Sequence, residues 1–426
     1  MVGVPLAPCT TSLGFASNVS STSNPLRTIE PGLKIPQSYQ ANIGFEHQVG
    51  KGWVFETNFT WNDTKNLWRD YNSNVSVLPT GYADWAAYLN GREFILSPTR
   101  KYTFFIGDPT VLDTSGLHIG STAGATPCTT TTANCFVNLN TTNTSTTTPA
   151  VAVTGTNGNS TGGPIGIAKA AIAQFRPNPN LGETSVIASI GRASYRGWVT
   201  ELRSRFRKLG HGFSASFRFN YTLSKTMDDG LNNTSNAQVN RLFQAEWARS
   251  LQDRRHRIGI SGTFEMPKWL GSLKFSPLFR YGSSAPFNLG NGGSDRNLDD
   301  NSTDRPNFGG SLSSIVWREP GTPLPAVYSQ FTPATIGAAG GNLPRNAGHG
   351  PSFYTFDVNV TRDFSLGERM KLRPTVEIDN VLNAAVFSYG SAFIDFGTTA
   401  AAQNAFLVPT RTYRQRQMRL GLRFDF

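Results

Sequence analysis

Apolar and polar residues alternate along much of this chain, and the last nine positions display the pattern most plainly. Met418, Leu420, Leu422, Phe424 and Phe426 are apolar, and the residues between them are charged or glycine. A strand repeats every two residues, so this segment has one oily face and one wet face. Nine residues rising about 3.3 Å each, tilted by about 45°, roughly cross the hydrocarbon layer of a bilayer.

The same rhythm recurs in pairs. Tyr39, Ala41, Ile43, Phe45, His47 and Val49 alternate with polar residues and glycine, Gly50-Lys51-Gly52 turns the chain, and Trp53, Phe55, Thr57, Phe59 and Trp61 continue the pattern. Next come Trp198, Thr200, Leu202, Ser204 and Phe206, then Phe213, Ala215, Phe217, Phe219, Tyr221 and Leu223. A third pair holds His256, Ile258, Ile260, Gly262 and Phe264, then Leu273, Phe275, Pro277, Phe279 and Tyr281; Pro277, lacking an amide hydrogen, suggests a bulge. The fourth holds Tyr354, Phe356, Val358, Val360 and Phe364, then Met370, Leu372, Pro374, Val376 and Ile378, and a single strand from about Thr412 to Phe426 ends the series.

Turns inside each pair span about three to five residues, a length typical of hairpins. Connections between pairs are long, at 65–193, 227–253, 288–352 and 384–411, and hold most of the Gly, Asn, Thr and Ser. Residues 1–38 form an extended segment ahead of the first strand, leaving 39–426 as the strand-bearing unit. A short helix is expected at Ile165–Phe175, and a strand near Thr184–Ile190 would add a hairpin inside the first connection. Short turns at one end and long loops at the other are the asymmetry of outer-membrane barrels, with short periplasmic turns and long extracellular loops.

The expected fold class is therefore all-β, an antiparallel transmembrane β-barrel segment of about 9–11 strands. The strand count is odd, so the first and last strands run in the same direction and cannot close antiparallel on each other. An open edge in lipid leaves backbone groups unsatisfied at several kcal/mol each. The expectation is a fragment, the C-terminal part of a larger barrel.

Composition agrees with that picture. In 426 residues only 16% are charged, against 42 Gly and 29 Phe, and no run approaches the roughly 18 apolar residues of a membrane helix. The formal charge of +11 would suit nucleic acid, but the arginines alternate with aromatics instead of forming a block, so no nucleic-acid partner is expected. A basic barrel suits an anionic bacterial surface. Met1-Val2-Gly3-Val4-Pro5 lacks the basic start and apolar core of an export signal, which again suggests a fragment.

Candidate chemistry is sparse. Nothing reads as a catalytic set, so no enzyme activity, cofactor or metal centre is expected. Cys128 and Cys135 sit in a Thr/Asn-rich stretch as a small disulfide loop or as unpaired thiols, with Cys9 left over. Arg203, Arg205, Arg207, Arg218, Arg280, Arg373, Arg419 and Arg423 form an inward basic row. It either attracts an anionic ligand or plug domain, or pairs with Glu201, Glu265, Asp357, Glu377 and Asp379. Asp295, Asp299, Asp300 and Asp304, with Asn297 and Asn301, make an oxygen-rich loop that either holds calcium or is simply solvated. Trp53, Trp61, Trp198 and Trp269 suit a lipid-interface belt, Trp68 and Trp85 could stack sugars, and Arg414 and Arg416 could touch lipopolysaccharide phosphates.

Several segments resemble the barrel of TonB-dependent outer-membrane receptors, in particular the Oar-like group. They are Ala193-Ser194-Tyr195-Arg196-Gly197-Trp198, Phe219-Asn220-Tyr221-Thr222-Leu223-Ser224-Lys225-Thr226-Met227-Asp228-Asp229-Gly230, Asp253-Arg254-Arg255-His256-Arg257, Asp304-Arg305-Pro306-Asn307 and Glu377-Ile378-Asp379-Asn380-Val381-Leu382-Asn383. The resemblance covers residue 30 to the end. It implies a parent barrel of about 22 strands, a plug and a TonB-contacting segment that this chain lacks, and uptake of an unknown nutrient ligand. It also implies that Met418, Leu420, Leu422, Phe424 and Phe426 form the signal read by the barrel-assembly machinery. Two other readings stand beside it: a passive porin, and a secreted all-β binding or adhesion protein whose strands pack as a sandwich.

Overall fold

The computed structural model describes residues 26–50, 52–97, 100–107, 117–119, 126–127, 134–140, 153–154, 160–161, 164–179, 181–232, 235–291, 294–367, 370–390, 393–397, 399–413 and 415–426. Its main sheet is 12-stranded, and the long strands follow one another in chain order. They are β1 (Gln37–Val49), β2 (Trp53–Asn72), β3 (Thr184–Gly210), β4 (Phe213–Asp228), β5 (His256–Glu265), β6 (Leu273–Gly282), β7 (Phe353–Arg362), β8 (Lys371–Asp379) and β9 (Gln417–Asp425). Each is antiparallel to the next. Left-handed glycines make the tight turns, as at Gly50 and Gly52 between β1 and β2 (φ 65° and 88°).

Register converts the alternation into a surface. Phe55, Leu202, Phe219, Ile260, Phe279 and Phe356 stand opposite one another in a row across β2 to β7. Val360, Val376 and Leu420 extend the same face across β7 to β9. That face is bare: Ile43 is 73% exposed and Leu420 74%. Among the buried apolar residues, only Val186, Ala188 and Ala215 lie on β1 to β9. This corrects the secreted-sandwich reading, which requires one face of each strand to be covered by a second sheet. No helix among the described residues is long and apolar enough to cross a membrane.

The buried cores lie in the long connections instead. One gathers Trp85, Leu89, Tyr102, Phe104, Val137, Leu139, Ile167 and Ile172 with Leu298 and Ile336. The other gathers Phe287, Leu289, Ile315, Phe331, Phe396, Phe406 and Leu407. The expected helix is present as Pro164–Ile172 followed by a 3-10 turn at Ala173–Phe175.

Three boundaries differ from the sequence expectation. β2 runs on to Asn72 and β3 starts at Thr184, so the first connection is 73–183 rather than 65–193. Thr184–Ile190 is the upper part of β3, and its Ser185–Ser189 pairs with Asn72–Trp68, so it adds no hairpin. The strict alternation breaks there because Asn66 takes φ 58° and the register slips around Gly191. Finally, Arg411–Tyr413 pairs with Val386–Ser388 as a separate ribbon, and the last wall strand begins only at Gln417. Within 1–38, Leu26–Ile29 pairs in parallel with Thr184–Ile187. β1 and β9 run in the same direction, each with one neighbour in the wall, and the barrel is not closed.

Candidate functional site

Residues between the outward positions face the other side of the wall, and there the polar chemistry collects. Arg218 holds Glu201 at 2.7 Å, and Arg203 reaches Glu46 and Glu56 at 3.4 Å and Glu201 at 3.5 Å. Arg280 pairs with Asp357. Arg419 pairs with Asp379 at 2.8 Å and Glu377 at 3.4 Å. Lower on the wall, Arg373 holds Asp363 at 2.5 Å and Arg423 holds Asp425 at 2.7 Å.

Six of the eight row arginines are thus neutralised by carboxylates, which leaves little net attraction for an anion. Glu265 is taken by Lys274 at 3.1 Å, not by an arginine. Arg205 is exposed, and its amide donates to the Gly52 carbonyl at 2.9 Å. Arg207 leaves the row altogether. A bulge between Ser204 and Arg207 brings Arg207 opposite Ala215, on the apolar face, and its guanidinium lies 5.1 Å from the Trp53 ring centre. One inserted residue reverses every side chain beyond it, which is why alternation alone misassigned it.

A concavity of about 690 Å³ opens on the inner face over β6 to β9, lined by Ser276, Arg280, Asp357, Glu377, Asp379 and Arg419. Arg280 also borders a second hollow of about 370 Å³, walled by Arg254, Phe353, Phe387 and Tyr413. There the Arg254 guanidinium sits 4.7 Å from the Phe353 ring centre and donates to the Ser283 carbonyl at 2.6 Å. Burial, with Arg257 nearby, holds Arg254 below its ordinary pKa. Together the two hollows offer a mixed-charge, partly aromatic surface suited to a hydrated polar solute or a packed protein domain. No group of three His, Cys, Asp or Glu among the described residues is arranged to hold a metal.

Chain cations already sit at the acidic loop, which argues against its calcium reading. Lys169, from the helix Pro164–Ile172, places its ammonium 2.7 Å from Asp295 and 2.8 Å from Asp300, and Arg176 holds Asp300 at 2.8 Å. The charge that a bound cation would supply comes from the chain. The solvated reading fails, since Asp295, Asp299 and Asp304 are buried. Burial opposes the Lys169 charge, but the two carboxylates outweigh it and hold its pKa up. Burial, reinforced by Asp295, pushes Asp299 up to about 8 and Asp304 up to about 7.

Other singled-out residues divide by place. Trp198 (54% exposed) stands on the bare face, and Trp269 (72%) sits in the 3-10 turn Lys268–Leu270 beside Phe213. Trp85 is buried against Tyr88 and Phe175, so it offers no sugar platform, whereas Trp68 stays exposed and donates to the Lys34 carbonyl at 2.9 Å. Cys135 is disulfide-bonded; Cys128, Cys9 and Arg414 lie outside the described residues. Arg416 is exposed. Met418, Leu420, Leu422 and Phe424 line the free edge strand β9, and Phe426 follows it.

The recurring acidic and basic motifs pin loops to the wall. Asp229 holds Arg69 at 2.7 Å, with both side chains buried, and accepts from the Arg192 amide at 2.8 Å. Asp253 accepts from the Thr226 amide at 2.8 Å and pairs with Arg249, while Arg305 grips Glu246 at 2.8 Å. Sequence reasoning missed Arg69, Lys169 and Glu246 because their partners lie far along the chain.

A family model described as an outer membrane beta barrel domain matches residues 2–419. Among solved structures, the chain is similar to the outer membrane transporter YddB from Escherichia coli, with 8% identity and a TM-score of 0.43 over 95% of this chain and 34% of that one. It is similar to the FrpB iron transporter from Neisseria meningitidis, with 11% identity and a TM-score of 0.37 over 94% and 32%. For the ferripyoverdine receptor of Pseudomonas aeruginosa the values are 9% and 0.34, over 92% and 27%. The chain spans about a third of the length of the first of these structures. No curated protein matches it.

Proposed function

We propose, from the premise that this chain belongs to the outer membrane beta barrel domain family and resides in the bacterial outer membrane, that it is wall and loop structure of a transporter taking up a nutrient. The observation that carries this reading is the single bare apolar face kept in register across β1 to β9, backed by a polar inner face. Lipid solvates the first and a water-filled or plugged lumen the second. The chain has no catalytic role in this reading.

Strand direction supports a larger barrel. β1 and β9 are parallel to each other, so an antiparallel closure takes an odd number of further strands. A second copy in the same membrane orientation would meet each edge with a strand running the same way, so pairing two copies does not close the wall. The resemblance to TonB-dependent receptors of the Oar-like group supplies the fuller form: additional strands, a plug against the inner face, and energy through TonB. On that reading β9 carries the signal for barrel assembly, and Arg416 faces lipopolysaccharide.

The passive porin is the second reading, and the neutralised inner face, with its paired arginines, is compatible with it. Uptake by cells producing the full-length protein distinguishes the two. A protonophore abolishes accumulation if transport is TonB-driven and leaves it unchanged if the pore is passive. Absence of heat-modifiable gel migration would reject both.

A further inference from the structure

Three cations stand on the lipid-facing side of the wall, at the long-loop edge of its apolar band. Arg196 on β3 and Lys225 on β4 are direct cross-strand partners, and both are exposed. Lys65 on β2 is exposed, lies over the Tyr39 ring at 5.7 Å, and stands four residues above the Trp61 opposite Arg196, about 13 Å further along the strand. Among the described residues, Asp63 is the one carboxylate that pairs with any of them, 3.5 Å from Arg196. Lys225 has no ion pair among the described residues. Trp61 stands opposite Arg196 on the other side.

Like charges directly opposite on neighbouring strands are destabilising unless something negative sits between them. Asp63 answers for one of the three. The height of the patch says what supplies the rest. Trp198 and Leu223 lie two residues below Arg196 and Lys225 on the same face, about 7 Å along the strand, and Tyr221 follows. Below that level the face is continuous with the bare apolar band, and above it β2 and β3 run on into the loop layer. The patch therefore sits where headgroups of the outer leaflet lie, with the interfacial aromatic rings just beneath it.

We infer that Arg196 and Lys225, with Lys65 above them toward the loops, form a binding site for a phosphorylated lipid headgroup of the outer leaflet. The Arg196 fork and the Lys225 ammonium would share its phosphate oxygens, and Trp61 and Tyr39 would flank the headgroup. The inference rests on the outer-membrane reading above.

The test uses the full-length protein in mixed micelles, with a phosphorylated lipid, the same lipid dephosphorylated, and inorganic phosphate as probes. Retained lipid is counted by native mass spectrometry. The account expects the phosphorylated lipid to be retained preferentially, and Arg196→Gln with Lys225→Gln to lower retention about tenfold or more. Lys225→Arg should retain it, and Arg423→Gln on the inner face should change nothing. Inorganic phosphate at millimolar concentration should not compete. Equal retention of the two lipids by the unaltered protein would overturn the proposal without any substitution, and so would full competition by phosphate, which marks a bare anion site. Fluorescence quenching of the tryptophans by brominated acyl chains separates the two failures. Quenching without phosphate selectivity sinks only this site, whereas no quenching sinks the membrane placement itself.

Discussion

Arg203 and Arg218 stand directly opposite each other on β3 and β4, and one carboxylate, Glu201, reaches both, at 3.5 and 2.7 Å. Glu201 thereby turns a repulsive cross-strand pair into a shared ion pair on the inner face. Both arginines are about half exposed, so the effect is modest. Glu201→Gln should cost about 0.5–1 kcal/mol, more at low salt than at high. The urea midpoint of the folded gel band reads it. An unchanged midpoint at low salt would mean that Glu46 and Glu56 suffice.

Lys169 and Asp295 are 126 residues apart in sequence yet joined at 2.7 Å. Lys169→Met leaves the buried Asp295 without its cation, while Arg176 still holds Asp300, and should destabilise the loop core by about 3 kcal/mol. Faster protease nicking within 294–306 would report it. Calcium or a chelator should leave the unaltered protein's nicking rate unchanged, because the ammonium already fills that role.

Asp304 gives the loops a pH dependence. One of its oxygens accepts the Arg296 and Asn297 amides, at 2.5 and 2.9 Å, and the other has no hydrogen-bond partner among the described residues. Its carboxyl is raised from 3.8 to about 7, so the folded loop keeps a proton that the unfolded loop releases near pH 4. Stability is then full below about pH 4 and falls as pH rises through about 7. Asp299, raised to about 8, acts in the same direction. Hydrogen exchange at the Arg296 and Asn297 amides, corrected for intrinsic rates, should lose protection between pH 5 and 8. Asp304→Asn keeps the accepting oxygen and should flatten part of that loss. Protection that rises with pH would contradict the assignment.

What the sequence disclosed, and what it hid, follows from distance along the chain. Alternation is local, so the wall from Tyr39 to Phe426 could be read from side-chain parity alone, and the strands lie in the predicted order. Parity fails wherever one residue is inserted. The bulge before Arg207 and the slip around Gly191 carry no signal that alternation can detect. The loop cores were opaque for a different reason: Phe287, Ile315, Phe331 and Phe406 share no period and meet only in the folded chain. The acidic loop was visible as a cluster, but its meaning depended on Lys169, which no spacing rule connects to it.

Spin labels at Phe217, Phe219 and Val358 of the full-length protein, reconstituted in bilayers, address the central claim most directly. The account predicts high accessibility to dissolved oxygen and low accessibility to a water-soluble nickel chelate at all three positions. Labels shielded from both reagents would place these residues inside protein, and the bare face could not then be the one that lipid covers.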